Sequence, residues 1–439
     1  MGKSASILDA KLNYLFSRTG GSAIKFGLET TIELLRTMQV DWLQLPCIHV
    51  AGTNGKGSVS AMIESALRES GLLTGLYTSP HMLRFSERIR VRGEPIPDES
   101  LIRLLAEVEA ADQAQAAEPG RRVGTFFELT TAVAFKWFLE QPVQVAVLET
   151  GMGGRLDSTN VVMPLLSVIT PIGMEHAAFL GKTLGQVASE KAGIIKPGRP
   201  VVVGRQVPAV MRVIEAQARQ MESTLIRTDE RVAVQRRSQD LDGQVLSVET
   251  ADGAWAPFRL PLLGDFQLSN CAMAIAALEW MRDSLGWPLT QESMRVGLEK
   301  TRWPGRCQIV RRDPVFVVDV AHNPDAARAL AAFLKTFRGN RPVALICGLL
   351  ADKNAEEYFR LLKPVVDACL LVPLDTERSM PMERLKAAAR AAKLPTVESR
   401  VPEAVKNSLN WAQARNGMVV SAGSFILASA VLHELGVEI

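Results

Sequence analysis

Apolar positions in the first two hundred residues gather into short unbroken runs: Ile48 to Ala51, Gly75 to Tyr77, Val143 to Leu148, Leu166 to Ile169 and Val201 to Val203. Segments with helical spacing separate them. Strands buried on both faces lose the alternation of polar and apolar side chains, and Val143-Gln-Val-Ala-Val-Leu148 has one polar interruption. The pattern predicts an open, mostly parallel sheet with helices on both faces. From about Leu225 to Leu260 the chain changes to short alternating segments around Asp242-Gly243 and Asp252-Gly253, pairs that favour hairpin turns, so a small antiparallel sheet is expected there. The stretch Ala110 to Pro119 reads as a helix end entering a loop. After Trp303-Pro304-Gly305 a second alternation begins, with strands expected at Val315 to Val318, Val343 to Ile346, Leu370 to Val372 and Met418 to Ser421.

The first strand breaks into Gly52-Thr53-Asn54-Gly55-Lys56-Gly57-Ser58. Glycines let backbone N–H groups converge on phosphate oxygens, a lysine adds a point charge, and a helix starting near Ser58 aims its positive end at the anion. The run reads as a triphosphate cradle for ATP or a relative. It departs from the standard Walker pattern, because Val50 takes the place of the first glycine and Gly57 separates Lys56 from Ser58. The expected fold is therefore α/β. An N-terminal P-loop-type domain of mostly parallel sheet, with the small antiparallel sheet, covers 1–300. A smaller Rossmann-like α/β domain covers 301–439.

Ligands of open α/β sheets bind beyond the carboxyl ends of the strands. Ser79, Glu149 and His176 stand past such ends, and a hydroxyl, a carboxylate and an imidazole near a phosphate loop could serve Mg²⁺ or serve ordinary capping and core hydrogen bonds. Lys191 precedes Gly193, and spacing alone reads it as a solvated lysine at a helix C-terminus. Asn270 opens or lies early in an apolar helix, where an N-cap is the plain reading. Arg306 follows a Pro-Gly turn. Asp319 and His322 lie at a strand end, where they could close over a triphosphate or form salt bridges at a domain seam.

Composition narrows the classes. The chain has 439 residues, 47% hydrophobic and 22% charged, with a formal net charge of +3, ordinary for a two-domain globular protein. No basic stripe interleaved with aromatics argues for nucleic acid. The five cysteines show no C-x-x-C spacing, so neither a zinc knot nor a disulfide framework is expected and a reducing cytoplasm fits. No stretch approaches the roughly 20 apolar residues of a membrane span.

Taken in order, HVAGTNGKGS (49–58), YTSPH (77–81), TFFE (125–128), LETGMGGRLDSTN (148–160), EKAGI (190–194), WPGR (303–306) and DVAHNP (319–324) resemble the folylpolyglutamate synthase and dihydrofolate synthase family of the Mur ligase superfamily. The resemblance implies that Asn54, Gly55, Lys56, Gly57 and Ser58 hold ATP phosphates, and that Asn270, Arg306 and Asp319 are further ATP positions across the domain cleft. It implies that Ser79, Glu149 and His176 ligate Mg²⁺, and that Lys191 is carbamylated and helps hold a second ion. It implies an acyl phosphate formed from a substrate carboxylate and consumed by L-glutamate, with His322 assisting near the glutamate. Thr125, Phe127, Glu128, Asp157 and Ser158 are its pterin-side positions, and Phe26 a further one. This favours a bifunctional enzyme over polyglutamylation alone. The expected partners are folate or dihydropteroate, L-glutamate and ATP, with no nucleic acid or membrane, for a cytoplasmic monomer. Two departures stand out: Phe266 where a histidine is common before Gln267, and Glu175 in place of the usual aspartate before His176. The competing readings are a Mur-type ligase acting on a cell-wall nucleotide precursor and, outside enzymes, a P-loop nucleotide switch. The latter lacks an N-K-x-D signature here.

Overall fold

The computed structural model describes residues 2–19 and 27–438, so the expected role of Phe26 falls outside the described residues. The first strands are β1 (Cys47–Ala51), β2 (Thr74–Tyr77), β3 (Ile89–Val91), β4 (Glu94–Pro95), β5 (Val145–Glu149), β6 (Leu166–Ile169), β7 (Val201–Val203) and β8 (Leu225–Arg227). They form one sheet in the order β4-β3-β2-β5-β1-β6-β7-β8. From β2 to β8 across this order the pairings are parallel, while β3 and β4 add an antiparallel edge. Every residue of β1 and β5 is buried, the signature of central strands covered on both faces. Leu225–Arg227, expected in the small antiparallel sheet, instead pairs parallel with β7, because its short apolar run continues the buried sheet before the alternating segment begins.

The small sheet follows as β9 (Ala233–Asp240), β10 (Gly243–Thr250), β11 (Gly253–Ala254) and β12 (Phe258–Leu260), with turns at both Asp-Gly pairs. A six-stranded sheet comes last: β13 (Gln308–Arg312), β14 (Val315–Val318), β15 (Val343–Cys347), β16 (Ala368–Leu371), β17 (Thr396–Glu398) and β18 (Met418–Ala422), in the order β13-β14-β18-β15-β16-β17. Only β13 runs antiparallel to its neighbour. The strands β3, β4, β13 and β17, at or next to sheet edges, escape the hydrophobic pattern because they are short or half exposed.

Two compact units emerge. One comprises 1–233, 249–255 and 270–300, the other 234–248, 256–269 and 301–439. In the first unit, Gly297 lets the helix Gln291–Lys300 approach the phosphate-loop helix Lys56–Glu69 so closely that a Cβ would collide with the backbone of Ala66, and Ser65 Oγ donates to the Gly297 carbonyl at 2.7 Å. That contact fixes the helix whose N-terminus faces the candidate site. In the second unit, Val315, Val317, Leu345, Leu371 and Val420 share a core with Leu330, Phe333 and Phe359 from the helices. No helix among the described residues is long and apolar enough to cross a membrane.

Candidate active site

The loop after β1 takes conformations that only glycine adopts cheaply. Gly52 has φ +150° and Gly55 φ +94°, and a Cβ on Gly52 would run into the Thr170 hydroxyl. Thr53 and Asn54 donate their backbone N–H groups to the Pro171 carbonyl at 3.1 and 3.3 Å, and Thr53 Oγ1 donates to the Gly173 carbonyl. The loop is thereby tied to the segment after β6 that carries Glu175 and His176. Gly55 is the N-cap of the helix Lys56–Glu69 and has no side chain to occupy the first helical N–H groups. The positive end of that helix is the kind of place where an anion is favoured.

Two cations meet on one carbonyl. Lys56 Nζ donates to the Gly52 carbonyl at 3.0 Å and to the Thr53 carbonyl at 3.3 Å, while Lys191 Nζ donates to the same Gly52 carbonyl at 2.7 Å. The reading of Lys191 as a solvated helix-end lysine fails: the residue is 1% exposed. Gly193, three residues from Glu190, accounts for part of this. It closes its helix with φ −63° rather than in the left-handed region, and a side chain there would collide with Arg155. The helix end is therefore pressed against the Gly151–Asp157 loop instead of facing water.

Lys191 also pairs with Glu175 at 2.6 Å. Burial pushes the Lys191 amine below the ordinary lysine range, with Lys56 adding to the depression and Glu175 opposing it. Burial would raise Glu175, but Lys191 and Lys56 outweigh it and hold the carboxyl below its usual value. Sequence reasoning noted Glu175 only as a departure from pattern and missed this pairing. The available signal was an acid at a strand end, one residue from a proposed ligand.

Of the proposed metal ligands, Ser79 and Glu149 are joined through the Ser79 backbone. The Glu149 carboxylate accepts from the Ser79 N–H at 3.2 Å, and Glu149 is 4% exposed. His176 adopts a left-handed backbone, φ 46°, at the start of the short helix Ala177–Leu180. Among the described residues no group of three or more His, Cys, Asp and Glu side chains is arranged to hold a metal. A full protein cage is not what Mg²⁺ requires, since it keeps waters and phosphate oxygens around one or two carboxylates. The donor chemistry of Ser79, Glu149 and His176 fits that ion.

On the proposed acceptor side, side chains hold the backbone in place. Thr125 caps the helix Phe126–Glu140, and the Glu128 carboxylate accepts from the Thr125 N–H at 2.7 Å while pairing with Arg122 at 2.7 Å. Asp157 is buried and accepts from the Met152 N–H at 2.8 Å, the Thr159 N–H at 3.1 Å and the Thr159 hydroxyl at 2.5 Å. Burial pushes the Asp157 carboxyl up, while those donors hold it down. Ser158 lies buried at the same turn. The Phe127 ring lies 5.8 Å from the Tyr77 ring and occupies the space where a side chain on Gly151 would sit, 2.5 Å away.

Asn270 lies inside the helix Phe266–Leu285, not at its N-cap, and its carboxamide oxygen is 2.5 Å from where a Gly55 Cβ would stand. In the second unit, the Arg306 guanidinium lies 5.1 Å from the Phe425 ring centroid. Asp319 accepts from the backbone N–H groups of Cys307 at 2.8 Å and Ala321 at 2.7 Å. His322 Nδ1 is 2.8 Å from the Val320 carbonyl. Asn323 caps the next helix through Ala326. Arg306, Asp319 and His322 thus gather around one strand end and one helix start of that unit.

A glycine-shaped phosphate loop with two converging lysines, followed by a separate α/β unit, defines the Mur ligase class. Residues 50–278 match the Mur ligase middle domain and residues 305–425 the Mur ligase glutamate ligase domain. Within that class, the chain belongs to the folylpolyglutamate synthase and dihydrofolate synthase family, and it is an ATP-dependent acid–amino-acid ligase. It is 38% identical to the folylpolyglutamate synthase of Lacticaseibacillus casei, covering 88% of this chain and 89% of that one. It is 34% identical to the dihydrofolate synthase/folylpolyglutamate synthase of Bacillus subtilis (strain 168), covering 94% and 95%. The solved structure of Mycobacterium tuberculosis folylpolyglutamate synthase complexed with ADP superposes with a TM-score of 0.91 at 31% identity, covering 99% of this chain and all of that one.

Proposed function

We propose that the chain uses ATP to add L-glutamate both to folates and to dihydropteroate, through an acyl phosphate. The observation that carries this reading is the convergence of Lys56 and Lys191 on the Gly52 carbonyl beside a helix N-terminus capped by Gly55. Asn54 to Ser58 would cradle the phosphates, and Lys56 would turn from the carbonyl toward phosphate oxygens when the nucleotide enters. Asn270, Arg306 and Asp319 are the proposed further nucleotide positions. The acceptor carboxylate attacks the γ-phosphorus, ADP leaves, and the resulting acyl phosphate is attacked by the glutamate amine with loss of phosphate. No covalent protein nucleophile is needed, so the residues act by orientation and charge.

Ser79, Glu149 and His176 would hold Mg²⁺, with carbamylated Lys191 serving a second ion. When bound, these ions would neutralise crowded phosphate oxygens. The depressed basicity of Lys191 supports carbamylation, because CO₂ adds to a neutral amine. The carbamate would be anionic, so the present ion pair with Glu175 would have to give way. Thr125, Phe127, Glu128, Asp157 and Ser158 would shape the acceptor pocket, and His322 would assist near the glutamate. In this division residues 1–300 bind ATP and acceptor and 301–439 serve glutamate, in a cytoplasmic monomer working on small molecules alone.

The test is phosphate release from Mg-ATP and L-glutamate with dihydropteroate, tetrahydrofolate or no acceptor, with product masses recorded. One glutamate added to each acceptor supports the bifunctional reading. Addition to tetrahydrofolate alone reduces it to polyglutamylation, and acceptor-indifferent hydrolysis contradicts it.

A further inference from the structure

The acceptor-side loop is anchored through a histidine in the strand that leads into the phosphate loop. His49 lies in β1, three residues before Gly52, and is fully buried between the apolar Ile48 and Val50. Its Nε2 stands 2.8 Å from Thr159 Oγ1. That hydroxyl gives its own proton to Asp157, so it must accept from the imidazole, which assigns the Nε2–H tautomer to His49. Burial pushes His49 down to about 3, so the ring stays neutral and the donor persists across the working pH range. Asp157 in turn accepts from the Met152 N–H. The chain of bonds therefore runs from the central strand to the Gly151–Ser158 loop.

Packing alone does not account for a histidine at this position. Its Nδ1 is buried with no hydrogen-bond partner among the described residues, a cost that leucine would not carry. We infer that His49 is a positioning residue for the acceptor-binding loop, acting through Thr159 on Asp157 and touching no substrate itself. The inference rests on the acceptor role proposed for Asp157 and its loop. Its consequence is that one strand sets both ends of the reaction. At its carboxyl end β1 delivers the phosphate loop, and through His49 it fixes the segment against which the acceptor is to lie.

The experiment compares full-length His49→Leu, His49→Gln and Thr159→Val with the wild type, measuring kcat and the KM for ATP, dihydropteroate and tetrahydrofolate. Loss of one buried hydrogen bond in the relay should raise the acceptor KM about tenfold in His49→Leu and Thr159→Val, with kcat and the ATP KM within about twofold. Glutamine can present an amide N–H from about the same reach, so His49→Gln should recover to within about threefold of wild type. If His49→Leu fails to fold, Thr159→Val, which keeps the imidazole, carries the comparison. An unchanged acceptor KM, an equal rise for ATP and acceptor, or a glutamine variant no better than leucine would overturn the inference. Wild type that adds glutamate to neither acceptor would instead overturn the proposed function and the inference with it. Wild-type turnover with indifferent variants overturns the positioning role alone.

Discussion

The phosphate loop and the acceptor-side loops are built on opposite terms. In the loop after β1 the conformation is set by absent side chains, at Gly52 and Gly55, and the loop runs straight into the N-terminus of the helix Lys56–Glu69. Around Thr125 to Glu128 and Gly151 to Asp157 the polar side chains are consumed in holding the backbone: two form a capping box, and one carboxylate takes three donors. On the proposed reading, the first region receives the anion that every reaction cycle brings. The second is a frame held by hydrogen bonds, and on the proposed reading its selectivity lies in the shape those bonds maintain more than in side chains reaching out. Substitutions should therefore act through ligand contact in the first and through loop position in the second.

The largest effect is expected at Lys191, where the two regions touch. Lys191→Met removes the side chain proposed to hold the second ion and should lower kcat by about 10³-fold, read as phosphate release at saturating ATP. The same amine gives a signed pH dependence. Its basicity is depressed by burial, so the neutral form gains population as pH rises through a range below the ordinary lysine value. With ¹³CO₂, a carbamate signal should grow from about pH 7 to about pH 9 and be missing in Lys191→Met. A signal that falls over this range, or that persists in the variant, would contradict the assignment.

Next come two substitutions that separate the regions. Gly55→Ala forces a side chain into a left-handed position and against Asn270, and strain of about 1–3 kcal/mol should raise the ATP KM tenfold or more while sparing the acceptor KM. Asp157→Asn replaces a carboxylate that takes three donors with an amide that has one acceptor oxygen. It should raise the acceptor KM about tenfold with the ATP KM within about twofold, as measured by steady-state kinetics. If both variants shift both constants equally, the contrast between the regions fails. The smallest effect is expected for Thr125→Ala, where loss of the N-cap should cost about 1 kcal/mol of stability in a denaturation midpoint with little change in kcat.

The sequence made the first region readable and the second only partly so. Glycines followed by a lysine at a strand end leave few structural alternatives, and the buried runs of β1, β5, β6 and β7 announce the parallel sheet. Side-chain partnerships are not periodic, so nothing in the pattern tells that Lys191 would be buried against Glu175, or that His49 would reach Thr159 across 110 positions. Asn270 misled for a related reason. An asparagine near a helix start resembles a cap, but the helix begins earlier, at Phe266, and the carboxamide is directed at Gly55. Leu225–Arg227 was read into the small sheet because a three-residue strand offers too few positions for its period to show.

The central claim is that the acceptor's own carboxylate is activated by phosphate from ATP. Its most direct test is transfer of ¹⁸O from an acceptor labelled at the reacting carboxylate, followed by mass spectrometry of the released phosphate. An acyl phosphate requires one labelled oxygen to leave with phosphate for each glutamate added. Glutamate addition with unlabelled phosphate would contradict the account.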